Sequence, residues 1–129
     1  MVPLRYPMVW FLPGLLLLLV VSVGSISFIS GLVITGVDFM DKVVHTFSYF
    51  VLMVWFSGLY TNERNAIVGL LLIILGITLE YIQTFLPYRF FDPLDLIANT
   101  VGVILGLALA FFTLGGWCQR VERLLGYQD

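Results

Sequence analysis

The sequence predicts an all-α membrane protein, a four-transmembrane-helix bundle with a short C-terminal interfacial helix, as a single domain over residues 1–129. Two observations carry this. Of the residues, 60% are hydrophobic and 11% charged, with a mean hydropathy of +1.05, far from the balance of a soluble domain. In addition, four windows each hold the roughly 20 mostly apolar residues that a helix needs to cross a hydrocarbon core. A net charge of -2 and a pI near 5.1 argue against nucleic-acid binding, which needs a basic surface. The single cysteine, Cys118, excludes an internal disulfide and a cysteine-rich metal site. Its expected place is near a membrane interface, as a bystander, with palmitoylation as the alternative.

The first window runs from Met8 to Phe28. Arg5 followed by a leucine-rich stretch would also open a signal peptide, but no A-x-A-like cleavage site follows and three further spans do, so it is read as a span. The others run from Val43 to Tyr60, from Ala66 to Leu86, where Pro87 ends the helix, and from Leu94 to Leu114. In the tail, Trp117, Val121, Leu124 and Leu125 share one helical face while Arg120, Glu122 and Arg123 lie elsewhere, as in a helix lying at the interface, with a plain solvated end as the alternative. Arg5, Arg64, Arg120 and Arg123 flank one side of the membrane, against Lys42 and Arg89 on the other, which predicts both termini and the 61–65 turn to be cytoplasmic.

Charged groups in a bilayer are costly and usually face other helices or a wet cavity. Here they gather. Asp38, Asp41, His45 and Tyr49 recur at helical spacing on the second span, and Asp92, Asp95, Asn99, Gly102 and Gly106 do so on the fourth. The third span brings Gly69, Gly76, Glu80 and Gln83 to one face. Counting helical rise from Asp38, Pro87 and Asp92 puts His45, Glu80 and Asn99 at one level, below a mouth containing Asp38, Asp41, Lys42, Arg89, Asp92 and Asp95. The matching D-x-x-D-x-x-x-[HN] patterns at 38–45 and 92–99 suggest two related helical hairpins.

Plain structural roles compete with functional ones. Asp92 with Pro93 fits a helix N-cap, and Asp95 stands where a capping-box acid would; Asp38 and Asp41 fit the same pattern on the second span. Gly102 and Gly106 form a GxxxG, which in a span means close helix packing. Capping does not account for Glu80, whose place in the C-terminal half of a helix disfavours an anion and calls for a proton or a partner, with His45, Lys42 and Arg89 as the cations in reach.

The ordered patterns Asp41-Lys42-x-x-His45-x-x-x-Tyr49-x-x-Leu52, Glu80-x-x-Gln83-x-x-x-Pro87-x-Arg89 and Asp95-x-x-x-Asn99-x-x-Gly102-x-x-x-Gly106 resemble the VanZ-like family of small bacterial integral membrane proteins. The resemblance covers residues 41 to about 106 and departs from the family's pattern at Tyr88, where glycine is frequent. It implies a role at the cell envelope and an inner (plasma) membrane location, in a family named for teicoplanin resistance. The phosphotransbutyrylase label of some members is not carried over, because this chain has no cytosolic acyl-phosphate or CoA site.

Two functional classes follow. In the first, Arg89 and Lys42 hold the phosphate or carboxylate of a membrane lipid or lipid-linked envelope molecule, with Asp41, Tyr49, Gln83, Asp95 and Asn99 completing the ligand pocket. In the second, the chain is an enzyme on such a substrate, with His45 and Glu80 as its catalytic acid–base pair. A passive membrane subunit is the third reading. No cofactor is implied and no spacing identifies a metal site, although Asp41, Asp95 and Glu80 carry oxygens of the kind a hard divalent ion accepts.

Overall fold

A computed structural model describes residues 1–27 and 38–126, except for the side chain of Asp38. All regular structure among these residues is helical: α1 (Pro7–Ile26), α2 (Asp38–Ser57), α3 (Asn62–Gln83), α4 (Pro93–Leu109) and α5 (Trp117–Leu124). A π-helical turn, Ala110–Leu114, continues α4. Three helices are long and apolar enough to cross a membrane: α1, α3 and the combined segment Pro93–Leu114. The fourth predicted span falls on α2, whose 20 residues carry Asp38, Asp41, Lys42 and His45 in their first half and which lies outside that set.

Helix ends follow local chemistry more than hydropathy. The window predicted from Val43 begins inside α2, because polar residues that lower hydropathy still continue a helix. Conversely, α3 stops at Gln83, before the expected Leu86. The N–H groups of Thr84, Phe85 and Leu86 turn back to the carbonyls three residues earlier, a tightened last turn ahead of the helix-disfavouring position before Pro87. The predicted end of the first span, Phe28, lies outside the described residues.

The helices alternate in direction. At one end Val2 N donates to Leu59 O (2.9 Å), Gly116 N to Ser57 O (2.9 Å) and Trp117 Nε1 to Val54 O (2.9 Å). Here Trp117 also meets Trp10 and Trp55 edge to face, at 5.4 and 5.5 Å. At the opposite end Gln83 Nε2 donates to Ser25 O (2.8 Å) and Tyr88 OH to Ile26 O (3.1 Å), tying α1 to the end of α3.

The principal interface joins α2 to α4, around buried Leu52, Met53 and Val103. The GxxxG stripe sets its closeness: a Cβ on Gly102 would lie 2.2 Å from Thr46 O, and one on Gly106 2.7 Å from Met53 Cβ. Only Gly14 of α1 is buried, against Trp55. Outward faces carry exposed Leu16, Leu19, Phe47, Leu70, Ile104 and Phe112, an apolar surface suited to lipid.

In the tail helix α5 the residues buried against the protein are Cys118 and Glu122, while Leu124 and Leu125 of the predicted apolar face are turned outward. Backbone donors decide the rotation. Arg5 N and Tyr6 N, at the start of α1 where no intrahelical acceptor exists, donate to Glu122 at 2.8 and 3.1 Å, and Trp10 Nε1 does so at 3.0 Å. Burial works against the charge of Glu122, but these donors outweigh it and hold its carboxyl below the usual range. Cys118 is fully buried beside Gly58, its thiol pushed up to about 12 by burial, which argues against the palmitoylated alternative.

Candidate functional site

The polar end of the bundle is built on the first turns of α2 and α4 and the last turn of α3. Asp92 is the N-cap of α4: its Oδ1 accepts from Leu94 N at 2.9 Å, Pro93 takes the first helical position, and Asp95 the third. In a capping box the third residue would accept the N-cap's own N–H. Here Glu80 of α3 does so instead, with Asp92 N donating to Glu80 Oε1 at 2.8 Å. Glu80, 1% exposed, therefore completes the cap from a neighbouring helix, and Asp95 is released to other work.

That work is electrostatic. Lys42 donates to both Asp92 and Asp95, and its Nζ lies 3.5 Å from Asp41 Oδ2. The bond from Lys42, outweighing burial, is the chief reason the Asp92 carboxyl is held below its ordinary range. The second oxygens of the other two acids face His45: Nε2 stands 3.7 Å from Asp41 Oδ1 and 3.8 Å from Asp95 Oδ2. On its far side His45 Nδ1 pairs with Asn99 Oδ1 at 2.9 Å. This pairing puts a proton on Nδ1 and turns Nε2 towards the two acids.

Most of the predicted residues thus meet, but not at the predicted levels. His45 and Asn99 share a layer, and Tyr49 joins it, because both the Tyr49 hydroxyl and Asn99 Nδ2 crowd Gly76 of α3. Glu80 lies one helical turn further along α3, beside Asp92, and makes no ion pair with His45, Lys42 or Arg89 among the described residues. The level count placed it too deep by taking Pro87 as the helix end, whereas α3 ends at Gln83. Gln83 points to α1, bonding Ser25 O and Ser25 Oγ, and is not part of the ion cluster. Arg89 is half-buried and its side chain makes no hydrogen bond or ion pair among the described residues, although its charge acts on Glu80. The expectations for the side chain of Asp38 fall outside the described residues.

Sequence reasoning missed two anchors, Ser25 and Glu122. The serine carries no pattern in a leucine-rich span. Glu122 was placed off the tail's apolar face, but nothing local marks its backbone partners, more than 110 residues away.

The family model of VanZ/LLP1 proteins matches residues 7–114, nearly the whole helical array. The chain belongs to the VanZ/LLP1 family. A curated relative, an uncharacterized protein of Schizosaccharomyces pombe, is 36% identical to this family member over 73 residues, covering 54% of this chain. The match spans 45% of that fungal protein's own length. As that relative is eukaryotic, membership in the VanZ/LLP1 family does not by itself assign a bacterial membrane. No solved structure matches the chain significantly.

Proposed function

We propose that the chain is a four-span protein of a bacterial inner membrane, with α2 as the fourth span and both termini cytoplasmic, that holds a lipid-linked or amphiphilic envelope molecule at the outer leaflet. One observation carries the reading. A groove of about 500 Å³, almost wholly apolar, runs along α2 between Phe39, Val43, Phe47 and Phe50 and meets Leu105 of α4, with the stem of Lys42 and Thr46 also in its lining. Such a groove suits an acyl chain whose head lies at the ion cluster.

Three carboxylates already engage Lys42, so the head-group contact rests on Arg89 more than on the predicted Lys42–Arg89 pair. A guanidinium with no side-chain partner among the described residues offers the paired donors that phosphate and carboxylate accept. The test is mass spectrometry of lipid retained by the purified full chain. Arg89→Ala is expected to reduce retained anionic amphiphile about tenfold, the effect of losing one charge-assisted contact, and Val43→Trp to reduce it by filling the groove. Unchanged lipid in both variants would leave a passive membrane subunit as the better description. Protection of cells against a glycopeptide such as teicoplanin belongs to the same reading, and its loss in Arg89→Ala at equal membrane levels is the cellular counterpart.

A second reading, an enzyme that modifies such a lipid, draws support from the orientation of His45 by Asn99. Lipid retention that survives His45→Ala while turnover disappears would select it.

A further inference from the structure

Asp41 and Asp95 each divide their two oxygens. Asp41 Oδ2 and Asp95 Oδ1 face Lys42, while Asp41 Oδ1 and Asp95 Oδ2 face His45 Nε2. The separations on the histidine side, 3.7 and 3.8 Å, are too long for direct hydrogen bonds. Asp41 Oδ1 is buried with no hydrogen-bond donor among the described residues, and the His45 side chain is only 9% exposed. With the proton on Nδ1, the Nε2 lone pair projects towards two anionic oxygens in a poorly solvated place. That arrangement is repulsive unless a cation stands among the three atoms.

We propose that Asp41, His45 and Asp95 bind a first-row divalent metal ion such as Mn²⁺ or Zn²⁺. Ligand atoms of these three residues lie within 4.8 Å of one another. Around a tetrahedral ion with bonds of ~2.1 Å, neighbouring donors stand ~3.4 Å apart, so the 3.7 and 3.8 Å separations need to close by only a few tenths of an ångström. A proton on Nε2 would instead draw one oxygen to ordinary hydrogen-bond length. One imidazole nitrogen with two carboxylate oxygens selects the borderline transition metals over calcium or magnesium, which prefer oxygen alone. Asn99 acts as the positioning residue, since its carbonyl fixes the tautomer that leaves Nε2 free to ligate. The charges also balance. Asp41, Asp92 and Asp95 surround a single ammonium, Lys42, and a divalent ion supplies the two remaining positive charges. Glu80 has no place in this set, because it caps α4. The metal site stands apart from the lipid reading.

The test uses the untagged full chain in detergent, stripped with a chelator and titrated with Mn²⁺ alone under electron paramagnetic resonance. The expected result is one Mn²⁺ per chain with the nitrogen coupling of one imidazole; the sequence has one histidine, so the coupling assigns His45 without a variant. Asn99→Leu keeps all three ligands and is expected to weaken binding about tenfold or more, while Lys42→Met removes a competing cation and is expected to tighten it. Absence of stoichiometric Mn²⁺, Mn²⁺ without nitrogen coupling, or binding undiminished in Asp41→Asn and Asp95→Asn would each overturn the proposal. Lipid retention in the metal-stripped chain is scored separately, so failure of either reading leaves the other distinguishable.

Discussion

Glu80 is the residue whose explanation changed most between sequence and structure. A carboxylate in the C-terminal half of a span calls for a cation by the helix-dipole argument, yet its direct partner is a neutral backbone N–H at the start of another helix. Side-chain types can be paired by inspection of a sequence, whereas a free amide donor belongs to every residue and carries no signature. Asp92 was legible for the opposite reason: N-cap, proline and third-position acid are consecutive, so local order alone specifies the cap. The chemistry of the contact gives a graded prediction. Glu80→Gln retains an acceptor oxygen and is expected to cost under about 1 kcal/mol, whereas Glu80→Leu strands the Asp92 N–H and is expected to cost about 1–3 kcal/mol. The order of thermal unfolding midpoints in detergent checks this, and equal midpoints for the two variants would contradict the cross-helix cap.

For the helices, hydropathy located α1, α3 and α4, and small-residue spacing identified how α4 packs, because both properties repeat along a single segment. The anchoring of α5 through Glu122 was not legible, since it depends on donors in the chain's first ten residues. Two predictions belong here. Gly102→Ala places a methyl 2.2 Å from Thr46 O, a backbone atom that cannot swing aside, so α2 and α4 must separate. The expected cost is about 1–3 kcal/mol, read as a lowered unfolding midpoint. The second concerns pH. Glu122 has a folded acidity constant below its ordinary 4.5, so its contribution is present above that value and is lost as pH falls below it towards the folded constant. Fluorescence of Trp10 and Trp117 is therefore expected to report loosening of α5 from the chain start in acid. In Glu122→Gln, which does not ionise, that transition should disappear.

Across the whole molecule, alternating helix directions place Arg5, Arg64, Arg120 and Arg123 at one end, and Lys42 and Arg89 at the other, which turns a count along the chain into a spatial asymmetry. Arg120 is fixed there by bonds to Thr113 O (2.6 Å) and Gly115 O (3.1 Å), at the end of the π turn. Arginines near span ends favour the cytoplasmic side, so the tryptophan-rich end is expected inside and the Lys42 cluster outside. Which residues gather at each end was legible from helical period and span count; the depth of each was not, because helix ends shift with turns that hydropathy does not register. Orientation is then a direct measurement. Glu63 and Phe90 are both exposed, on opposite ends, and Cys118 is too buried to react in the folded protein. In intact cells a membrane-impermeant maleimide is expected to label Phe90→Cys nearly completely and Glu63→Cys scarcely at all, with both labelled after lysis. The reverse pattern would place the ion cluster on the cytoplasmic leaflet, where an outer-leaflet envelope molecule could not reach it.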